Sequence, residues 1–403
     1  MVAGVTAEVR LHGKVVGVLT YDRGSSRLTY TDDLQGPDHR VLGQIFEEDP
    51  RTVRHARTGL PDWLANLLPE GEFRRQVIRE MGGGNIGDFF RLLLRLGHDL
   101  PGAVTVHGEA EQGLDESEDL TARDEDPGPD ALRYSLAGYQ LKFSLRGDRL
   151  TAPMRNRDGW VIAKLPDRAL NRLAENEYLT MRWLALAGFD VPPVDLVRAE
   201  TLPTVPPGFL DPEAMAYVIE RFDRSPAGPV HVEDFAQVAN VGPRQKYGES
   251  GATYDTVGGV IRLLAGESDF EAYVDRLVAM IVTGNTDGHL KNWALWYPDG
   301  VMPRLAPVYD FHSLSVYQRF RYQPLALSLA GEQMPEYLNV DHFRRLAEFV
   351  GADPDRIGQR VAHTVARLRE VWEQDAHMET KRFFPGLADH YERRLRTLPL
   401  AQG

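Results

Sequence analysis

The chain has 403 residues, a formal charge of −13, 42% hydrophobic residues and no cysteine. This length predicts two or three compact domains, and the lack of cysteine excludes disulfides, thiol nucleophiles, iron–sulfur clusters and Cys-ligated zinc. No signal-peptide pattern or run of 18 apolar residues occurs, so we expect a cytoplasmic protein without membrane contact, and the acidic charge argues against direct coating of nucleic acid.

The first predicted elements form a small α+β domain over residues 1–108. Apolar and polar residues alternate from Glu8 to Tyr21, which predicts an antiparallel hairpin that turns at His12 and Gly13. The alternation continues over residues 28–31. From Gly71 the apolar residues follow helical spacing, and a second helical run covers residues 89–96.

An acidic segment follows over residues 109–130. It holds ten Asp or Glu and one Arg, a charge of −9, and almost no large apolar residue. Such a segment cannot form a core and is typical of a solvated linker or mobile loop, with an acidic recognition tail as the alternative. Only −4 remains for the other 381 residues, so the folded parts are nearly balanced in charge and leave room for a basic surface near DNA.

The rest of the chain predicts two lobes. Strand-like runs at 133–144, 160–165, near 196 and at 216–222, with a helix over 173–187, predict a strand-rich lobe over residues 131–230. Helical spacing at 235–239, 273–283, 343–350 and 357–372 predicts an all-helical lobe over residues 231–403. Asp353 and Pro354 provide the cap and first position of the last of these helices.

The most informative residues lie in the sequence VTGNTDGHLKNW, residues 282–293, and in LAPVYDFHSL, residues 305–314. Asp287, Asn292 and Asp310 have the spacing of a kinase catalytic base and two Mg²⁺ ligands, although His312 stands where kinases have Gly. Asp287 and His289 could instead be a metal-binding pair of a phosphohydrolase. The simplest alternative is that Asp287 and Asn292 only cap helices or turns.

Further segments occur in the order that a kinase requires. Lys164 ends the apolar strand WVIAK. In protein kinases, a lysine at the end of a similar apolar strand binds the α- and β-phosphates of ATP. Glu175 or Glu177 on the following helix could hold its ammonium. The turn from Ser135 to Lys142 could cover phosphates, although its single Gly138 is also compatible with a plain hairpin. The strand end at residues 220–222 could bind an adenine edge.

Several motifs together resemble the HipA family of bacterial toxin serine/threonine kinases. They are SLAGYQLKFSL, WVIAKLP, VIERFDR, GPRQKYGE, GNTDGHLKNW and LAPVYDF. The resemblance covers almost the whole chain and implies a two-lobed kinase fold preceded by a short α+β domain.

The resemblance also assigns roles to single residues. Asp287 would be the catalytic base, Asn292 and Asp310 the Mg²⁺ ligands, and Ser135 a site of inactivating autophosphorylation. The remaining positions would bind ATP: Ala137, Gly138, Tyr139, Gln140, Leu141 and Lys142 in the phosphate loop, Glu220, Arg221 and Phe222 in the hinge, and Lys164, His289 and Tyr309.

The implied biology is that of a toxin–antitoxin pair. Its partner would be a helix-turn-helix antitoxin that provides most of the DNA contact, and its substrate an aminoacyl-tRNA synthetase, glutamyl-tRNA synthetase by resemblance. Two alternatives remain open at this stage. The chain could be a catalytically weak corepressor that acts through its antitoxin, or a small-molecule phosphotransferase of similar fold.

Overall fold

The computed structural model describes residues 5–32, 36, 38–70, 74, 78, 88–108, 133–134, 151–156, 159–167, 169–202 and 210–402. The predicted acidic segment 109–130 lies outside the described residues. The predicted phosphate-covering turn from Ser135 to Lys142 also lies outside them, so its residues remain predictions.

The N-terminal domain contains a five-stranded antiparallel sheet with the order β4-β3-β2-β1-β5. Its strands are β1 Val5–Leu11, β2 Lys14–Asp22, β3 Ser25–Tyr30, β4 Arg54–Ala56 and β5 Val104–Gly108. The predicted hairpin is confirmed, because His12 and Gly13 turn the chain with φ values of 48° and 81°. Two consecutive positive φ values are typical of the tight turn that joins twisted antiparallel strands.

Short helices cover one face of this sheet: Gln44–Glu48, Asp62–Ala65 and Asp88–Leu96. Large side chains from both layers, among them Leu19, Leu28, Phe46 and Trp63, are completely buried. They form a hydrophobic core that is separate from the core of the helical lobe. The N-terminal domain therefore has a core of its own.

The strand-rich lobe is built on a second antiparallel sheet with the order β6-β7-β8-β10-β9. Its strands are β6 Arg133–Tyr134, β7 Thr151–Asn156, β8 Gly159–Lys164, β9 Val194–Arg198 and β10 Met215–Glu220. Two short strands that follow, β11 Arg224–Ser225 and β12 Gly228–Pro229, pair with each other. The helix Leu173–Leu186 connects β8 to β9, close to the predicted bounds. Strand β7 was not predicted, because its sequence TAPMRN contains a proline and no aromatic, Val or Ile residue.

The second lobe is mainly helical: its longer helices are Tyr254–Ala265, Glu267–Thr283, Val340–Val350, Pro354–Val371 and Pro385–Thr397. The side chain of Asp353 caps the fourth of these, as predicted. The expectation of an all-helical lobe was too simple, because β13 His231–Asp234, β14 Ala294–Tyr297 and β15 Arg304–Leu305 form a small antiparallel sheet. Strands of two to four residues are too short to show a periodic pattern.

The helix Glu267–Thr283 runs through the middle of this lobe, and its residues from Tyr273 to Thr283 are all buried. It leads directly into the sequence GNTDGHLKN. Over the residues that the structure describes, no helix is both long and apolar enough to span a bilayer.

Candidate active site

The loop that carries Asp287 begins where the central helix Glu267–Thr283 ends. Gly284 ends this helix in a left-handed conformation with φ 72°, and its N–H bonds back to the last turn. The buried guanidinium of Arg394 donates to the carbonyl oxygens of Val282 at 3.0 Å and Ile281 at 2.5 Å. A cation at a helix C-terminus is favourable, so Arg394 fixes the point from which the loop starts.

Lys164 lies at the centre of the cleft between the lobes. Its ammonium Nζ is 2.5 Å from Oε1 of Glu177 and 2.5 Å from Oδ1 of Asp310. The sequence left Glu175 and Glu177 open as partners of Lys164, and the structure identifies Glu177, which is completely buried. A buried carboxylate needs such a counter-charge, so Glu177 and Asp310 hold the ammonium at the end of β8.

Asp310 adopts a left-handed backbone conformation with φ 60° that turns its carboxylate toward Lys164. Its second oxygen, Oδ2, accepts a hydrogen bond from Nδ2 of Asn292 at 2.7 Å. Burial would raise the pKa of Asp310, but the attraction of Lys164 and His312 outweighs it and holds this pKa well below its usual value. Asp310 is therefore ionised at neutral pH.

The residues predicted to bind Mg²⁺ meet as expected, since Asn292 and Asp310 are in contact. The carbonyl oxygen Oδ1 of Asn292 is buried and has no hydrogen-bond partner among the described residues. A buried amide oxygen beside an ionised carboxylate fits a hard divalent cation, which prefers oxygen ligands. These two side chains would hold the ion, which would neutralise charge on the phosphates of a nucleotide.

Asp287 is half-buried, whereas its neighbours Thr286, Gly288 and His289 are buried. Its carboxylate is therefore the side chain of this stretch that reaches the cleft. Burial raises the pKa of Asp287 above its usual value, against the opposing effects of His312 and of a hydrogen bond from Tyr247. A raised pKa suits a carboxylate that must accept a proton.

His289 and His312 are both buried beside these carboxylates. Burial, with Lys246 as a second cause, lowers the pKa of His289 to about 3, so its imidazole is neutral. Within the described ranges, the group of potential metal ligands consists of Glu177, Asp310 and His312, and it includes neither Asp287 nor His289. The phosphohydrolase alternative thus gains no support from the geometry. The ammonium of Lys164 already binds two carboxylates of that group.

The predicted hinge forms the end of β10. The backbone N–H of Glu220 donates to the carbonyl oxygen of Pro193, and that of Arg221 to Trp160, so both serve the fold. The Phe222 ring packs on Tyr309 with centroids 5.5 Å apart. The role of this segment in adenine binding stays a prediction.

The side chain of Arg221 has a structural partner that the sequence did not predict. Its guanidinium forms buried ion pairs with Asp223 at 2.8 Å and with Asp99 of the N-terminal domain at 3.1 Å. Arg224 binds the same two carboxylates. The hinge is therefore tied to the N-terminal domain, and the contact of Arg221 with ATP stays a prediction.

The N-terminal domain also reaches the catalytic loop. Nζ of Lys291 lies 2.6 Å from the carbonyl oxygen of Asn66 and 2.9 Å from Oδ2 of Asp234. The carbonyl oxygen of Lys291 accepts from the hydroxyl of Tyr309 at 2.9 Å. Tyr309 thus braces the loop next to Asp310, and its predicted contact with ATP stays untested.

A buried carboxylate anchors the domain to β13. Glu233 accepts hydrogen bonds from Nε1 of Trp63 at 2.8 Å, from the backbone N–H of Gln44 at 3.0 Å and from the hydroxyl of Tyr297 at 3.2 Å. Nearby, Nε2 of His231 lies 2.8 Å from the carbonyl oxygen of Leu42. Sequence reasoning missed these contacts because they join residues 64 to 189 positions apart.

An ammonium held between two carboxylates, a catalytic-type aspartate and an Asp–Asn pair on a two-lobed fold define a kinase. The family models for the HipA N-terminal domain and the HipA-like C-terminal domain match residues 7–107 and 134–372. The chain therefore belongs to the HipA family.

Known relatives agree with this membership. A protein of Sinorhizobium fredii named putative kinase Y4dM is 35% identical over 382 residues, which cover 91% of each chain. The serine/threonine-protein kinase toxin HipA of Shewanella oneidensis is 24% identical and covers 92% of each chain. The solved complex of that organism's HipA with HipB and operator DNA matches with a TM-score of 0.68 and 20% identity, covering 98% of this chain and 99% of that chain.

Proposed function

We propose that this kinase is the toxin of a toxin–antitoxin pair and transfers the γ-phosphoryl group of MgATP to a protein serine or threonine in the cytoplasm. The observation that carries the catalytic part is the contact of Lys164 with both Glu177 and Asp310. This arrangement places one cation beside two anions at the centre of the cleft. Incoming phosphate oxygens would compete for the same ammonium.

In this mechanism Asp287 accepts the proton of the acceptor hydroxyl. The acceptor oxygen forms a bond to the γ-phosphorus, the bond from that phosphorus to the β–γ bridging oxygen breaks, and ADP leaves. Oδ1 of Asp287 already accepts a hydrogen bond from Tyr247, and among the described residues Oδ2 accepts none. We assign proton acceptance to Oδ2.

The proposed partner is a HipB-like helix-turn-helix antitoxin. The match to a HipA solved together with HipB and operator DNA supports this assignment, and DNA contact would come mainly through the antitoxin. The proposed substrate is an aminoacyl-tRNA synthetase, glutamyl-tRNA synthetase by family resemblance. Its phosphorylation would arrest translation and produce dormant cells.

The proposal includes inactivating autophosphorylation at Ser135. A phosphate there would add roughly −1.5 to −2 charge beside a loop that has to receive the phosphates of ATP. The added charge would repel the nucleotide and favour a displaced loop. His289 would contact the nucleotide as a neutral imidazole.

The experiment is incubation of the purified chain with γ-labelled ATP and Mg²⁺, alone and with added synthetases. We expect label on Ser135 and on one synthetase, and a loss of about 10²- to 10⁴-fold in rate for Asp287→Asn. Asp375→Asn is the matched control, since Asp375 is exposed on the helical lobe. Equal rates for wild type and Asp287→Asn would refute the mechanism, and label in a small molecule alone would indicate a different phosphotransferase.

A further inference from the structure

Tyr247 lies on the segment GPRQKYGE, outside every predicted helix and strand, yet it touches the catalytic loop. Its hydroxyl donates a hydrogen bond to Oδ1 of Asp287 at 3.1 Å. Its ring packs edge-on against the imidazole of His289, with centroids 5.2 Å apart. The side chain is 44% exposed, so it forms part of the wall of the cleft.

The neighbouring residue holds this segment in place. The carbonyl oxygen of Lys246 accepts from the backbone N–H of Leu290, in the catalytic loop, at 3.1 Å. Nζ of Lys246 forms an ion pair with Oε2 of Glu70 at 2.8 Å. Glu70 belongs to the N-terminal domain, and its other oxygen lies 3.8 Å from Nζ of Lys291. The carboxylate of Glu70 therefore lies near Lys246, on the segment of Tyr247, and near Lys291, in the catalytic loop.

Two roles are conceivable for a phenol at this position. A mobile tyrosine could act as a gate, since its hydroxyl resembles that of an acceptor serine and would have to leave. A fixed tyrosine would hold the carboxylate in one rotamer. The contacts of Lys246 with Leu290 and Glu70 favour a fixed side chain, and the hydrogen bond engages one carboxylate oxygen only.

We propose that Tyr247 is a positioning residue that orients the carboxylate of Asp287, and that the N-terminal domain supports it through the ion pair between Glu70 and Lys246. The inference rests on the proposed role of Asp287 as the base. Tyr247 holds Oδ1, which directs Oδ2 at the acceptor hydroxyl. A side chain held in a productive geometry before substrate arrives lowers the barrier without changing nucleotide binding.

The test is Tyr247→Phe in the full chain, with MgATP as substrate and the chain as its own acceptor. We expect the maximal rate of ADP release and self-labelling to fall about tenfold, which corresponds to about 1.4 kcal/mol in the barrier. The ATP concentration at half-maximal rate should stay within twofold of the wild-type value. The melting temperature should stay within about 2 °C of that of the wild type. Tyr337→Phe is the control, because Tyr337 is 66% exposed and its hydroxyl makes no described hydrogen bond.

Glu70→Gln tests the support from the N-terminal domain. Alone, it should lower the maximal rate about threefold, and in the Tyr247→Phe background it should lower the rate no further, because both act through one contact. An unchanged or faster Tyr247→Phe enzyme beside an active wild type would overturn the positioning role and leave the kinase assignment intact. A wild type as inactive as Asp287→Asn would overturn both.

Discussion

Substitution of Gly43 by Ala tests how closely the N-terminal domain fits the kinase lobes. A Cβ at this position would lie 2.5 Å from Oε1 of Glu233 and 2.6 Å from Nε1 of Trp63. These two atoms form the buried hydrogen bond of 2.8 Å that joins the domain to β13. The φ of Gly43 is 178°, which alanine adopts freely, so space alone decides the outcome.

The expected cost follows from the two groups that must move. Crowding a packed site costs about 1–3 kcal/mol, and a weakened hydrogen bond to a buried carboxylate adds about 1–3 kcal/mol. We expect Gly43→Ala to lower the free energy of unfolding by about 2–6 kcal/mol. For a chain of this size, whose entropy of unfolding is about 0.8 kcal/mol/K, that corresponds to a melting temperature lower by roughly 2–7 °C.

The assay is thermal unfolding followed by fluorescence, together with hydrogen exchange of β13. Gly259→Ala is the matched control, since a Cβ there would meet Val350 at an ordinary 3.8 Å. We expect faster exchange at residues 231–234 in Gly43→Ala only. If both variants melt at the wild-type temperature, the close packing of Gly43, Trp63 and Glu233 is refuted.

Two further predictions concern buried charges. Burial raises the pKa of Glu233 from 4.5 to about 7, so its protonated form favours the folded state, and this stabilisation is lost as pH rises from about 4.5 to about 7. The free energy of unfolding should fall by up to roughly 3 kcal/mol over this window, and the melting temperature should fall with it. Glu233→Gln should flatten the plot of melting temperature against pH, and equal slopes for wild type and variant would contradict the assignment. Arg394→Met should lower the free energy of unfolding, measured by chemical denaturation, by about 2–3 kcal/mol, because it leaves the carbonyls of Ile281 and Val282 without their cation. The control is Arg396→Met, which changes an exposed residue and should lower it by less than about 0.5 kcal/mol.

The sequence predicted those parts of the site that are encoded locally. Asp287 and Asn292 lie in one short loop, Asp310 follows strands β14 and β15 directly after that loop, and Lys164 ends an apolar strand. Residues with this spacing have few alternative arrangements, which is why Asn292 meets Asp310 as expected. The hairpin at His12 and the cap at Asp353 follow from local rules in the same way.

The remainder depends on contacts that no local pattern encodes. Glu175 and Glu177 lie on the same helix, and only the packing of that helix shows that Glu177 faces Lys164. Tyr247 meets Asp287 across 40 positions from a segment without periodicity. Arg221 stands in the predicted hinge motif, but its partner Asp99 is 122 positions away. Charged side chains often pair with residues that are far away in sequence, so their spacing along the chain says little about which residues they contact.

The polar character of the contact between the N-terminal domain and the lobes bears on how the protein is made. Residues 5–108 leave the ribosome before the lobes do and can close their own core before β13 exists. Until the lobes have folded, the surface of the N-terminal domain that will contact them exposes Asn66, Glu70 and Asp99, which water can solvate. We expect these polar groups to limit aggregation of a newly made N-terminal domain while the lobes are still being synthesised.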